Sequence, residues 1–241
     1  MQVLTTNLTG KLFIPAAYRL RTSGIFMFKI AGNNLFINLL QTSECCSMLE
    51  LLYIHFRKFI SLTPEEESVA GGFFRYKKYR KHQYILQEGD VCRHESFILS
   101  GCTRTYRLDE KGQEHILQFG MQNWWVGDLR SFLSDQPSQQ NIDCLEETEL
   151  LQISKTGLEE LYRGVPKTER YFRILIQNAY LSAMNRISSN LSRTALQRYQ
   201  EFMLLYPDIE QRIANHQVAS FLGITPQSLS RIRNRQQQKK K

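Results

Sequence analysis

Seven side chains close to the C-terminus have types and spacing suited to reading a nucleic acid: Thr225, Gln227, Ser228, Arg231, Arg233, Asn234 and Arg235. On a helix that opens at Pro226, Leu229 and Ile232 point inward. Gln227, Ser228, Arg231, Asn234 and Arg235 then face out. A glutamine can pair bidentately with adenine, and an arginine with O6 and N7 of guanine, so Gln227 and Arg231 are the candidate base readers. Thr225 and Ser228 sit at the helix N-terminus, where the dipole favours phosphate. Arg233 and Arg235 are expected on phosphates as well.

Those residues need a scaffold, and the segment from Ile213 to Arg235 supplies one. Asn215 is expected to cap a helix from His216 to Leu222. Val218, Phe221 and Leu222 give it an inner face, and Ala219 is small where a second helix must cross. Gly223 ends the helix at a position that calls for positive φ. Ile224 plugs the corner, Thr225 caps the second helix and Pro226 takes its first turn. A generic helical hairpin would show half of this pattern; the whole of it fits a compact helix-turn-helix. Charge agrees. The chain has a formal net charge of +8, and from Gln211 to Lys241 there are seven Lys or Arg and no Asp or Glu. From Met48 to Glu210 the count is 20 basic against 22 acidic. A segment so biased binds phosphate backbones by releasing counterions. Lys239–Lys241 taken alone reads as a solubilising tail.

Upstream, the signals change twice. Phe73 to Ser154 holds short strand patterns divided by glycine turns: Glu88-Gly89-Asp90, Ser100-Gly101 and Asp109-Glu110-Lys111-Gly112. Strands are expected at Gln83–Leu86, Ser96–Leu99, Cys102–Leu108, His115–Phe119 and Glu149–Ile153, which suits a small barrel or jelly roll. From Lys167 to Ser192 no Gly or Pro interrupts a helical pattern carrying Phe172, Leu175, Ala179, Leu181, Met184, Ile187 and Leu191. Such a helix spans about 35–40 Å and calls for a second copy of the chain to cover its stripe. Leu51, Leu52, Ile54, His55, Phe56, Phe59 and Ile60 form an amphipathic helix after Met48. Thr63, Pro64 and three glutamates start another. Residues 1–47 are unlike the rest and are expected to be an arm without structure, or sequence ahead of a natural start at Met48. The expected fold is α+β. An N-terminal double-stranded β-helix (jelly-roll) sensor with flanking helices covers 48–165 and a dimerisation helix 166–193. An all-α helix-turn-helix domain covers 194–241.

Other chemistries find little support. The five cysteines, Cys45, Cys46, Cys92, Cys102 and Cys144, form no CxxC pair or zinc spacing, so reduced thiols in a cytoplasm are expected, with Cys102 buried in a strand. No apolar run reaches the length of a bilayer span, and no signal peptide is evident. A cupin-like enzyme would need clustered His and carboxylates; His82, His94 and His115 lack that spacing. No metal site, catalytic triad or phosphate-cradling glycine loop appears.

Glycine-turned roll, long helix and C-terminal helix-turn-helix, in that order, resemble the Crp/Fnr family of bacterial transcription regulators. The resemblance runs from Met48 to Arg235 and is carried by the three turns above, by Gly127-Asp128-Leu129 and by Gln217 to Arg231. It implies a homodimer on a roughly palindromic double-stranded operator, its two readers about 34 Å apart, and a roll that senses an effector. Contact with RNA polymerase is compatible with that class. The resemblance places the effector pocket at Trp125, Gly127, Asp128, Leu129, Ser138 and Gln139. In cyclic-nucleotide-binding members an Arg-Ser pair holds the phosphate and a Glu the ribose. Here Ser138 and Gln139 stand at the pair, Asp128 stands for the Glu, and Arg130 is the nearest cation in sequence. Loss of a charge-assisted contact worth about 1.5–3 kcal/mol makes cyclic AMP an unexpected ligand, and no cofactor is expected. The iron–sulfur cysteine pattern is missing, and His94 and His115 read as surface or strand residues rather than haem ligands. Trp124 and Trp125 read as core packing more than as a stacking platform. The β-wing that often follows the reader is absent or vestigial, and the lysine tail stands in for it. The competing reading is an effector-binding sensor that acts mainly through protein–protein contacts.

Overall fold

The computed structural model describes residues 25–30, 33–38, 44–207 and 209–239, with side chains between 48 and 235. Ahead of the roll, strands β1 (Ile25–Ile30) and β2 (Asn33–Asn38) pair as an antiparallel hairpin within the segment expected to lack structure. That hairpin and the chain from Ser47 onward are separate compact units. Helix α1 (Glu44–Arg57) opens four residues before Met48. It buries Leu52 and Phe56 completely; the expected inner residue Ile54 is 46% exposed, because the helical period turns it away from the face shared by Leu52 and Phe56. Helix α2 (Pro64–Gly71) starts with a capping box. Thr63 Oγ accepts from the Glu66 N–H, and Glu66 Oε2 accepts from the Thr63 N–H at 2.8 Å.

Strands β3 (Arg75–Tyr79), β4 (Tyr84–Leu86), β5 (His94–Ser100), β6 (Cys102–Leu108), β7 (Glu114–Met121), β8 (Trp125–Val126), β9 (Asn141–Cys144) and β10 (Thr148–Ser154) build the roll. They form two antiparallel four-stranded sheets, ordered β3-β10-β5-β8 and β4-β9-β6-β7. The β6–β7 hairpin turns where expected. Gly112 takes φ +75°, and Asp109 Oδ1 accepts from the N–H groups of Lys111 and Gln113 at 2.9 Å each. Cys102 is fully buried at the start of β6. Between β8 and β9 lies the short helix α3 (Leu129–Ser134).

Helices α4 (Lys155–Gly164) and α5 (Lys167–Ser192) follow, the latter with the bounds that its uninterrupted pattern predicts. Its first turns are covered, with Tyr171 and Phe172 packing with Phe56, Phe97 and Trp125, while farther along Ile176, Tyr180, Leu181, Met184, Ile187 and Leu191 are exposed. Helix α6 (Ala195–Leu205), a 3₁₀ turn (Ile209–Gln211), α7 (Asn215–Leu222) and α8 (Pro226–Lys239) close the chain. They do not hang free. Phe202, Tyr206, Phe221 and Leu222 share one core with Ile116 and Phe119 of β7, with Phe119 and Tyr206 ring centres 5.7 Å apart.

Candidate nucleic-acid interface and roll pocket

Helices α7 and α8 meet as the sequence predicts. Gly223 adopts φ +64°, and Thr225 Oγ accepts from the Ser228 N–H at 3.2 Å to cap α8. Leu229 is fully buried and Ile232 packs against the same core. The start of α7 differs from expectation. Asn215 is its first residue rather than its cap, and Gln217 folds back so that its Oε1 accepts the Ala214 N–H at 3.2 Å. With Gln217 buried in that role, the orphan donor is satisfied from inside the helix.

The outward face of α8 carries Gln227, Arg231, Asn234 and Arg235, all exposed, with Ser228 half-buried behind Thr225. Arg233 departs from its expected part as a phosphate ligand. Its Nε donates to Glu210 at 2.8 Å, its Nη1 donates to Asn215 Oδ1, and its side chain is only 20% exposed. Glu210 also accepts from the Tyr199 hydroxyl. Arg233 therefore ties α8 to the 3₁₀ turn and to α7, a use hidden by a sequence separation of 23 residues.

Three further groups, none evident from spacing, fasten the reader to the roll. Ser220 of α7 donates to the Glu114 carbonyl at 2.9 Å and accepts the Ile116 N–H at 3.1 Å. Arg186 of α5 donates to the carbonyls of Ile116, Leu117 and Phe221. Arg212 pairs with Glu146 and donates to the Gly101 carbonyl at 2.8 Å.

The six expected pocket residues do not converge on one cavity. Asp128 is buried and caps α3 by accepting the Ser131 N–H; its other oxygen accepts the Ser138 hydroxyl at 2.8 Å. These are the two positions to which the resemblance assigns ribose and phosphate contacts, and here they satisfy each other. A half-open cavity on the roll, about 490 Å³, is lined by Tyr79, Asp90, Gln152, Gly127 and the cationic Lys77 and Arg93 rather than by Asp128 or Ser138. Gln139 is exposed and accepts from Arg107 at 3.2 Å. Trp125 packs 5.1 Å from Phe172, and its Nε1 donates to the Tyr171 hydroxyl at 2.8 Å, so it is a core residue. Leu129, with Trp125 and Gly127, faces a larger cleft of about 1360 Å³ that runs along α5. Arg130 is exposed and lines neither space.

A family model described as the cyclic nucleotide-binding domain matches residues 76–164, which is β3 through α4. The chain is 24% identical over 177 residues to Electron transport regulator A of Shewanella oneidensis, covering 67% of this chain and 68% of that protein. It is 24% identical over 179 residues to the Cyclic AMP receptor protein of Thermus thermophilus, covering 72% and 82%. The solved structure of FixK2 from Bradyrhizobium japonicum shares the fold, with a TM-score of 0.58 at 19% identity over 69% of this chain and 85% of that one. The roll thus matches the cyclic nucleotide-binding domain, and over 67–72% of its length the chain is similar to transcription regulators of the Crp/Fnr kind.

Proposed function

We propose that the chain is a homodimeric, sequence-specific DNA-binding regulator that acts in the cytoplasm on a roughly palindromic operator. The observation that carries this reading is the exposed face of α8. Gln227 and Arg231 stand free on a helix whose cap, turn glycine and buried Leu229 are those of a groove-reading helix. Thr225, Ser228 and Arg235 supply phosphate contacts at its two ends. Arg233 holds the reader together instead.

The exposed stripe of α5 supports the dimer. Ile176, Tyr180, Met184, Ile187 and Leu191 are 46%, 64%, 44%, 53% and 85% exposed and recur at the intervals of a coiled-coil seam. A second copy covers that stripe and sets the spacing of the two readers. Among the described residues no helix is long and apolar enough to cross a membrane. The roll does not hold a cyclic nucleotide in this reading, since Asp128 and Ser138 are spent on one another.

The test is a salt titration of the full chain on an operator selected from genomic DNA, against random duplex. The operator should bind about 10³-fold or more tighter, with a steep salt dependence. Equal affinity for both duplexes would remove the sequence-reading role.

A further inference from the structure

The large cleft contains a carboxyl group with nothing to bind. Glu95, on β5, sits opposite Ile153 and lies against Gly127, where a Cβ would come within 2.5–2.8 Å of its carboxylate. Gly127 therefore keeps the space that the carboxyl occupies. Glu95 Oε1 is enclosed and has no hydrogen-bond partner among the described residues. An enclosed acceptor without a donor costs about 1–3 kcal/mol, more when it is charged, so its retention calls for a partner from outside.

No cation of the cleft is free to serve. Lys155 is bound to Asp135 and the Leu133 carbonyl, and Arg186 to three backbone carbonyls. Arg193 is paired with Glu201, and Arg198 donates to the carbonyls of Asn190 and Arg193. The acids add up instead: Glu95 and Glu159 both line the cleft, and burial, helped by Asp128, raises the Glu95 pKa. The walls there are Trp125, Leu129, Phe132, Leu158, Tyr162 and Phe172. A mainly apolar pocket with one convergent polar group is the usual form of a small-molecule site.

We propose that this end of the cleft, closed by Glu95 and Gly127, binds a small organic cation with an apolar body. The site belongs to the larger cleft rather than to the smaller cavity, among residues of β5, α3, α4 and α5. An ammonium or amidinium headgroup donates to Glu95, and its aromatic or aliphatic body lies against Trp125 and Phe172. The proposal rests on reading the roll as the sensing half of the regulator. Occupancy would press on α3 and on the buried start of α5, which links the roll to the reader.

Phenethylamine, 2-phenylethanol and phenylpropionate share one body and differ in headgroup charge, so they are the probes. Titrated into the full chain, phenethylamine should change the tryptophan fluorescence saturably, because Trp124 and Trp125 both line the cleft. It should bind about 10-fold or more tighter than the alcohol, and phenylpropionate more weakly still. Glu95→Gln should erase the preference for the amine. Leu129→Arg, on the 38%-exposed wall, should block the amine with little effect on folding, which keeps the test decisive if Glu95→Gln does not fold. No saturable binding of phenethylamine, equal binding of amine and alcohol, preference for the carboxylate, or indifference to these variants would each overturn the site. So would weaker self-association of Glu95→Gln without any amine binding, since the carboxyl would then belong to a second copy. Operator affinity is measured on the same sample: amine binding without DNA binding retains the site and removes the DNA reading, and the converse does the opposite.

Discussion

Arg231 and Arg233 lie two positions apart on α8, yet they do different work. Arg231 is exposed, and Arg233 is held by Glu210 and Asn215. Replacing Arg231 with Ala should cost about 1–3 kcal/mol on the operator and relax the preference at one base pair; affinities for an operator panel with each base varied would show it. Replacing Arg233 with Ala should act on folding, since it removes the cation from Glu210 and leaves that carboxylate only the Tyr199 hydroxyl; a loss of about 1–3 kcal/mol is expected in denaturant unfolding. If Arg233→Ala left unfolding unchanged and only flattened the salt dependence of DNA binding, Arg233 would be a phosphate ligand after all. Helical periodicity separates inward from outward residues, but it is silent about a partner 23 residues away. For the same reason the mutual bond of Asp128 and Ser138, and the solitude of Glu95, have no signature in a linear pattern.

Among the elements, α5 and α7 differ in what covers them. Ile187 is 53% exposed near the middle of the α5 stripe. Ile187→Glu should yield monomers in sedimentation while each copy keeps its melting behaviour, because the side chain touches little of its own fold. An unchanged dimer would mean that another surface joins the copies. Helix α7 is covered from within the chain, by β7. Ser220→Ala should cost about 1–2 kcal/mol of stability by leaving the Ile116 N–H and the Glu114 carbonyl unmet. Elements with a strong period were legible: α5, the helix-turn-helix, and strands β5, β6, β7 and β10. Three strands of the roll were not. β3 reads Arg-Tyr-Lys-Lys-Tyr, a basic run whose exposed edge position suits lysine. β8 has two residues, below any period. β9 reads Asn-Ile-Asp-Cys, polar yet wholly buried, because Arg104 crosses the sheet to bind Asp143 at 2.8 Å and also pairs with Glu114.

Across the whole molecule, two partly buried titrating groups, His55 and Glu95, pull the pH dependence of stability in opposite directions. His55 of α1 bonds to the Tyr171 hydroxyl at 2.6 Å, and burial, helped by Lys58, lowers its pKa from 6.5 to about 4. Between those values the unfolded chain binds the extra proton, so this group makes stability rise with pH from about 4 to 6.5. Glu95 behaves in the opposite sense. Burial, helped by Asp128, raises its pKa from 4.5 to about 7, so the folded chain holds the extra proton and stability falls as pH rises through that window. From 4.5 to 6.5 the two slopes oppose, and the native chain should show a flattened stability profile there. Glu95→Gln should uncover a rise in stability from pH 4 to 6.5, and His55→Gln a fall from pH 4.5 to 7. Denaturant unfolding across pH checks both slopes. The same slope in both variants would show that neither group is held as the packing requires. If phenethylamine also removed the falling slope of His55→Gln, the cation would be seen taking the place of the proton on Glu95, because a neighbouring positive charge lowers a carboxyl pKa as surely as burial raises it.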